Sequence, residues 1–90
     1  MSPDPVSASL QIWTHTFCRD FDRFPPHIQQ TIQDKIDEMG ARLESFPHHR
    51  LRGANEYRLR VGDHRMLHDF DAPDGKIYLL YVGHRREVYK

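Results

Sequence analysis

Two periodicities divide the chain. Phe17, Phe21 and Phe24 recur at i, i+4, i+7, and Ile28, Ile32, Ile36, Met39 and Leu43 follow on one helical stripe, with Gln29, Gln33, Asp37 and Glu44 away from it. From Glu56 the spacing drops to two. Tyr57, Leu59 and Val61 alternate with Arg58 and Arg60, so one strand buries three apolar groups and presents two guanidiniums on its other face. His64 to Phe70 alternates again, with Met66 and Phe70 on one side and Arg65, Leu67 and Asp69 on the other. Lys76 to Val82 is apolar on both faces, as a central strand requires.

Turn and cap residues fix the punctuation. Leu10 to His15 reads as an opening strand, Thr16 as the cap of a brief helix, and Pro25-Pro26 as a break that starts a longer one. Phe46-Pro47 ends that helix, and a loop runs through His48, His49, Arg50, Leu51, Arg52 and Gly53. Gly62-Asp63 supplies a hairpin turn and Pro73-Asp74-Gly75 the next. The pattern predicts an α+β domain: an N-terminal strand and a two-helix hairpin packed on a small, mainly antiparallel sheet of about four strands.

At 90 residues the chain is one small domain, of a size for which a partner adds useful stability. Residues 1–9, MSPDPVSAS, have no periodicity and read as a disordered extension, which leaves 10–90 as the folded unit. The extension lacks the basic and apolar regions of a signal peptide, and the longest apolar run, Ile77 to Val82, is far short of the roughly 20 residues that span a bilayer. A single cysteine, Cys18, excludes an intrachain disulfide and suits a reducing cytoplasm. With no activating base near it in sequence, Cys18 reads as a small core filler.

The formal net charge of zero conceals a division. Residues 1–47 hold four basic groups against seven acidic ones; residues 48–90 hold nine against six, together with five of the seven histidines. An anionic partner therefore meets the C-terminal half. Arg58, Arg60, Arg65 and Arg85 lie on or beside strands, where a rigid backbone can aim them at one point. Pairing with Asp63, Asp69 or Glu87 on a solvated face explains any one of them. Four together point to phosphate, which the planar guanidinium fork suits.

The histidines support a metal site poorly. His64 and His68 share a strand face but stand about 13 Å apart at 3.3 Å per residue, and the adjacent pair His48-His49 has no further ligand at a usual spacing. His68, in alternation with Met66 and Phe70, is expected to be a half-buried, hydrogen-bonded histidine. His84 abuts Arg85 and the terminal tyrosine, and could act as acid or base.

As an ordered set, "RLRGANEYRLRVGDHRMLHDFD" followed by "IYLLYVGHRREVY" resembles the RelE/ParE superfamily of type II toxin–antitoxin toxins, and specifically its RelE branch of mRNA interferases. The resemblance runs from Leu10 to Tyr89. It implies a RelE-like fold and a cytoplasmic, ribosome-dependent endoribonuclease that cleaves A-site mRNA by attack of the ribose 2′-hydroxyl on the adjacent phosphodiester, inhibiting translation. It also implies a cognate antitoxin as partner, and calls for no cofactor and no metal. By the same resemblance Arg58 and Arg60 hold the RNA backbone with Arg52 and Arg86 alongside, and Arg65 and Arg85 stabilise the phosphate transition state. Tyr89 stacks on a base and takes the 2′-proton, with His84 a competing base. His64 and His68 stand where many relatives carry aromatic residues. Two other readings remain open: a ParE-like inhibitor that binds DNA gyrase, and a non-toxic antitoxin-binding remnant.

Overall fold

The computed structural model describes residues 9–50 and 56–84, and in them the two periodicities become two layers. Strand β1 (Leu10–Trp13) leads into helix α1 (His15–Phe21) and helix α2 (Pro26–Ala41); strands β2 (His49–Arg50), β3 (Tyr57–Val61), β4 (His64–Asp71) and β5 (Lys76–His84) follow. The sheet order is β1-β5-β4-β3-β2, with β1 parallel to β5 and every other pairing antiparallel. The expected α+β architecture is present with five strands rather than about four. The extra strand is β2, two residues of what the sequence marks as loop. Alternation cannot be seen in two residues, and β2 exists only because His49 and Arg50 pair with Arg58 and Tyr57.

The first helix starts two residues earlier than expected. Thr14, not Thr16, is the cap: its Oγ1 accepts from the Phe17 N–H at 3.2 Å, while its hydroxyl donates to the Leu79 carbonyl at 2.7 Å. One side chain thus satisfies a helix end and ties that end to β5. The aromatic stripe forms in part: Phe17 is fully buried and Trp13 meets Phe17 and Phe21 edge-on at 5.0 and 4.8 Å, while Phe24 lies beyond the end of α1 and packs on the core from there. Cys18 is half-buried on α1, its thiol 4.0 Å from the Trp13 carbonyl.

Pro25 and Pro26 start α2 as expected, at its cap and first positions. The helix stops at Ala41 rather than at Phe46: Arg42 leaves helical geometry, with φ −142°, and its carbonyl accepts from both Ser45 and Phe46 N–H groups in a separate turn. Leu43 and Phe46 still reach the core from that turn. Polar contacts join α2 to β1, since Gln11 donates to Asp37 at 2.8 Å and accepts from Gln33 at 3.2 Å. Ser9, the last residue of the expected extension, donates its hydroxyl to the Gly40 carbonyl; residues 1–8 of that extension lie outside the described residues.

Both helices lie against one sheet face. Ile32, Ile36 and Met39 from α2, Phe17 from α1, and Leu59, Met66, Ile77, Leu79 and Val82 from the strands form the core. Gly62 takes φ +62° at the first central position of the β3–β4 hairpin, where the turn asks for glycine. A β-bulge interrupts β5: Leu67 pairs with Tyr81 and His68 with Leu79, so Leu80 is an extra residue. Ile77 and Leu79 face the helices before it, and Val82 does so after it. The apolar character of both faces, read from sequence as the mark of a central strand, has two sources: β5 does lie between β1 and β4, and the bulge shifts its phase.

Candidate functional site

The sheet face turned away from the helices carries the arginines. On β3, Arg58 and Arg60 point out opposite the buried Leu59 and Val61, and both are exposed. Register supplies their neighbours: His49 of β2 pairs with Arg58, and Arg65 of β4 pairs with Arg60. Directly paired side chains on one face stand about 5 Å apart at Cβ. These four residues, His49, Arg58, Arg60 and Arg65, line a depression of ≈ 360 Å³. Gly83 pairs with Arg65 on the β5 side and presents no side chain there.

Like charges opposite one another in a ladder are destabilising, and bound anion would relieve them. Among the described residues the ion pairs of Lys35 and Arg42 with Glu38, at 3.3 and 2.9 Å, lie on the helical layer, and they hold the exposed Glu38 carboxyl below the ordinary carboxylate range. Neither Arg58 nor Arg60 has such a partner among the described residues. With Arg58, Arg60 and Arg65 gathered on one face, a chain of zero net charge still presents a basic patch. Among the described residues no three His, Cys, Asp or Glu side chains gather as a metal ion requires, and no helix is long and apolar enough to cross a membrane.

Of the residues singled out in the sequence, Arg58, Arg60 and Arg65 are brought together. Arg52, Arg85, Arg86 and Tyr89 lie outside the described residues. His84 is placed elsewhere. It pairs with His64 on the helix-facing side, their rings 5.9 Å apart, and the far side of His64 meets Phe24 at 4.8 Å. The bulge is the reason: uninterrupted alternation from Ile77 would put His84 on the arginine face, and the extra Leu80 turns it to the other. His49 is the residue that sequence reasoning passed over. In the sequence His49 stands out only as half of the adjacent pair His48-His49, and the one signal of its place is the cross-strand pairing of β2.

The other unusual groups form a buried imidazole pair. His68 is fully buried, beyond the half-burial expected of it, and its Nε2 lies 3.1 Å from His48 Nδ1; His48 Nε2 lies 2.8 Å from the Leu43 carbonyl. A carbonyl only accepts, so His48 donates from Nε2, its Nδ1 is a lone pair, and His68 donates to it. His68 Nδ1 is left buried with no donor. Burial first, and the neighbouring His48 second, push the His68 pKa down to about 4. His48 also stacks on Phe70 at 3.8 Å and meets Tyr57 edge-on. The pair pins the turn after α2 to β4, one residue before β2 begins.

Comparison with known proteins agrees with this architecture. A family described as "ParE toxin of type II toxin-antitoxin system, parDE" matches residues 12–89. The RelBE2 toxin–antitoxin complex from Mycobacterium tuberculosis contains a chain with a TM-score of 0.75 at 24% identity, covering 94% of this chain and 100% of that one. A RelB–RelE antitoxin–toxin complex from Methanococcus jannaschii gives 0.66 at 26% identity, covering 87% and 94%. The isolated RelE toxin of E. coli gives 0.72 at 16% identity, covering 91% and 92%. No curated protein matches the chain in a sequence comparison. The match over residues 12–89 defines the class: the chain belongs to the family of ParE toxins of type II toxin–antitoxin systems. Within the wider RelE/ParE superfamily, the solved neighbours are RelE toxins, alone or with their antitoxins.

Proposed function

We propose that this toxin is an mRNA endonuclease of the RelE type, acting in the cytoplasm on transcripts held in the ribosomal A site. The observation that carries the reading is the depression lined by His49, Arg58, Arg60 and Arg65 on the open sheet face. Arg58 and Arg60 hold the RNA backbone, with Arg52 and Arg86 beside them. Arg65, together with Arg85, stabilises the charge that builds on phosphorus as the ribose 2′-oxygen attacks and the 5′-oxygen departs, a task for preorganised donors. Tyr89 stacks on a base. A set made mainly of phosphate-holding groups gains most from a substrate already aligned for in-line attack, where effective molarities reach on the order of 10⁵ M or more. A ribosome that fixes the codon supplies that alignment. The zero net charge agrees, because loose binding to naked RNA depends on a large positive excess.

The partner we assign is a cognate antitoxin, in line with relatives solved as RelB–RelE complexes. Its acidic or amphipathic segment would cover the basic face. The test is to incubate the protein with free transcript and with the same transcript on programmed ribosomes. Cleavage on the ribosome alone is expected, and equal cleavage of both refutes ribosome dependence. One other reading has a specific observation behind it: the matched family is described as ParE toxin, and the ParE branch inhibits DNA gyrase by binding. Cleavage of neither RNA, with gyrase supercoiling inhibited, would move the protein there.

A further inference from the structure

We propose that His49 is the base that takes the 2′-hydroxyl proton in the cleavage step; this rests on the endonuclease reading above. Cleavage needs a group that accepts a proton near neutrality, and a guanidinium cannot do so. Of the described residues that line the depression, three are arginines and the fourth is His49. Of the other two candidates, His84 lies on the opposite sheet face beside His64, and Tyr89, outside the described residues, offers a phenol, a residue type whose ordinary pKa near 10 makes it a poor base at neutral pH. Histidine is the residue type whose ordinary titration falls between pH 5 and 8.

Position supports chemistry. His49 pairs with Arg58, and Arg58 lies two residues along β3 from Arg60, which pairs with Arg65. With strands about 4.8 Å apart and about 3.4 Å of rise per residue, the His49 and Arg65 backbones stand roughly 12 Å apart on one face. Arg58 and Arg60 lie between them, so a phosphate held there has the His49 imidazole on one side and the Arg65 guanidinium on the other. His49 is exposed, hence open to substrate, yet it is carried on a paired strand rather than a free loop. The residue before it, His48, is anchored through the Leu43 carbonyl and the buried His68.

The step balances without a co-reactant beyond water. The 2′-oxygen forms its bond to phosphorus as its proton passes to the neutral imidazole. The bond from phosphorus to the 5′-oxygen breaks, and that oxygen leaves with a proton from solvent. The products are a 2′,3′-cyclic phosphate and a 5′-hydroxyl end, and the imidazolium returns its proton to water.

The experiment compares wild type with His49→Gln in single-turnover cleavage of a transcript on programmed ribosomes between pH 5 and 8.5. The expected result is a loss of at least about 100-fold at pH 7.5, the scale of general-base catalysis. The fall in wild-type rate on the acid side should also vanish in the variant. A substrate with sulfur in place of the 5′-bridging oxygen, a leaving group that needs no acid, should leave the variant's defect in place. Wild-type cleavage with an unimpaired His49→Gln overturns this proposal alone, as does recovery of the variant on the sulfur substrate, which would make His49 the acid. Absence of wild-type cleavage overturns both it and the endonuclease reading. An unchanged urea midpoint for the variant, expected for an exposed side chain, separates lost chemistry from lost fold.

Discussion

Acidification to about pH 5 should destabilise this protein through His68. Its imidazole is fully buried and neutral, its pKa lowered from the ordinary 6.5 to about 4 by burial and by His48. The unfolded chain therefore binds the proton first. The His68 contribution to stability is complete above about pH 6.5, falls as the pH drops toward 4, and levels off below that. With values of about 4 and 6.5, linkage removes about 2 kcal/mol between pH 7 and pH 5, and about 3 kcal/mol by pH 3. Against a domain stability of roughly 5 to 15 kcal/mol, that is a large share.

The hydrogen-bond chain explains why the cost cannot be evaded by moving the proton. His48 Nε2 is committed to the Leu43 carbonyl and its Nδ1 accepts from His68. A proton on His68 must then go to Nδ1, the buried atom with no partner. His68→Gln keeps an amide donor within the core and removes the titration. Urea unfolding of both proteins, followed by the fluorescence of Trp13, the only tryptophan, should show the stability advantage of wild type shrinking by about 2 kcal/mol from pH 7 to pH 5. A difference that stays flat over that range refutes the reasoning, since every other titrating group is common to both proteins.

Arg65→Ala should abolish growth arrest with the fold retained, a loss of about 3 to 4 kcal/mol of transition-state stabilisation by the measure of oxyanion-hole donors; undiminished toxicity at equal expression removes the catalytic role. Gly62→Ala should lower stability by about 1 to 2 kcal/mol from its φ of +62° alone, because a Cβ there meets nothing within 4 Å; an unchanged urea midpoint would contradict this. Thr14→Val should cost about 1 to 3 kcal/mol, combining a lost helix cap with a Leu79 carbonyl deprived of its hydroxyl donor, and amide exchange at Phe17 should rise with it.

What could be read from the sequence was whatever a local pattern encodes. The helix stripe of Ile28, Ile32, Ile36 and Met39, the alternation that exposes Arg58 and Arg60, and the Gly62-Asp63 turn are each written in neighbouring residues, and each is present in the fold. The departures have a common physical origin: they depend on partners distant in sequence. Thr14 displaces Thr16 as the cap because its hydroxyl also finds the Leu79 carbonyl, 65 residues away. His49 and Arg50 become a strand only against Tyr57 and Arg58, and His68 is drawn fully inside because His48, 20 residues earlier, satisfies its donor.

The bulge at Leu80 has the largest consequence for the site. Side chains along a strand alternate with a period of two, so one extra residue exchanges the faces of everything beyond it. The apolar run from Ile77 to Val82 contains no glycine, proline or charge to mark where that residue sits. Hydrophobic pattern alone is therefore compatible with both phases. Packing chooses between them, because Val82 can join Met66 and Leu79 in the core only after the shift. The same shift sends His84 to the helix side and sets Gly83 beside Arg65 on the open face. One unmarked residue in β5 thus takes one imidazole away from the arginines and, among the described residues, leaves His49, carried by a strand at the far edge of the sheet, as the imidazole beside them.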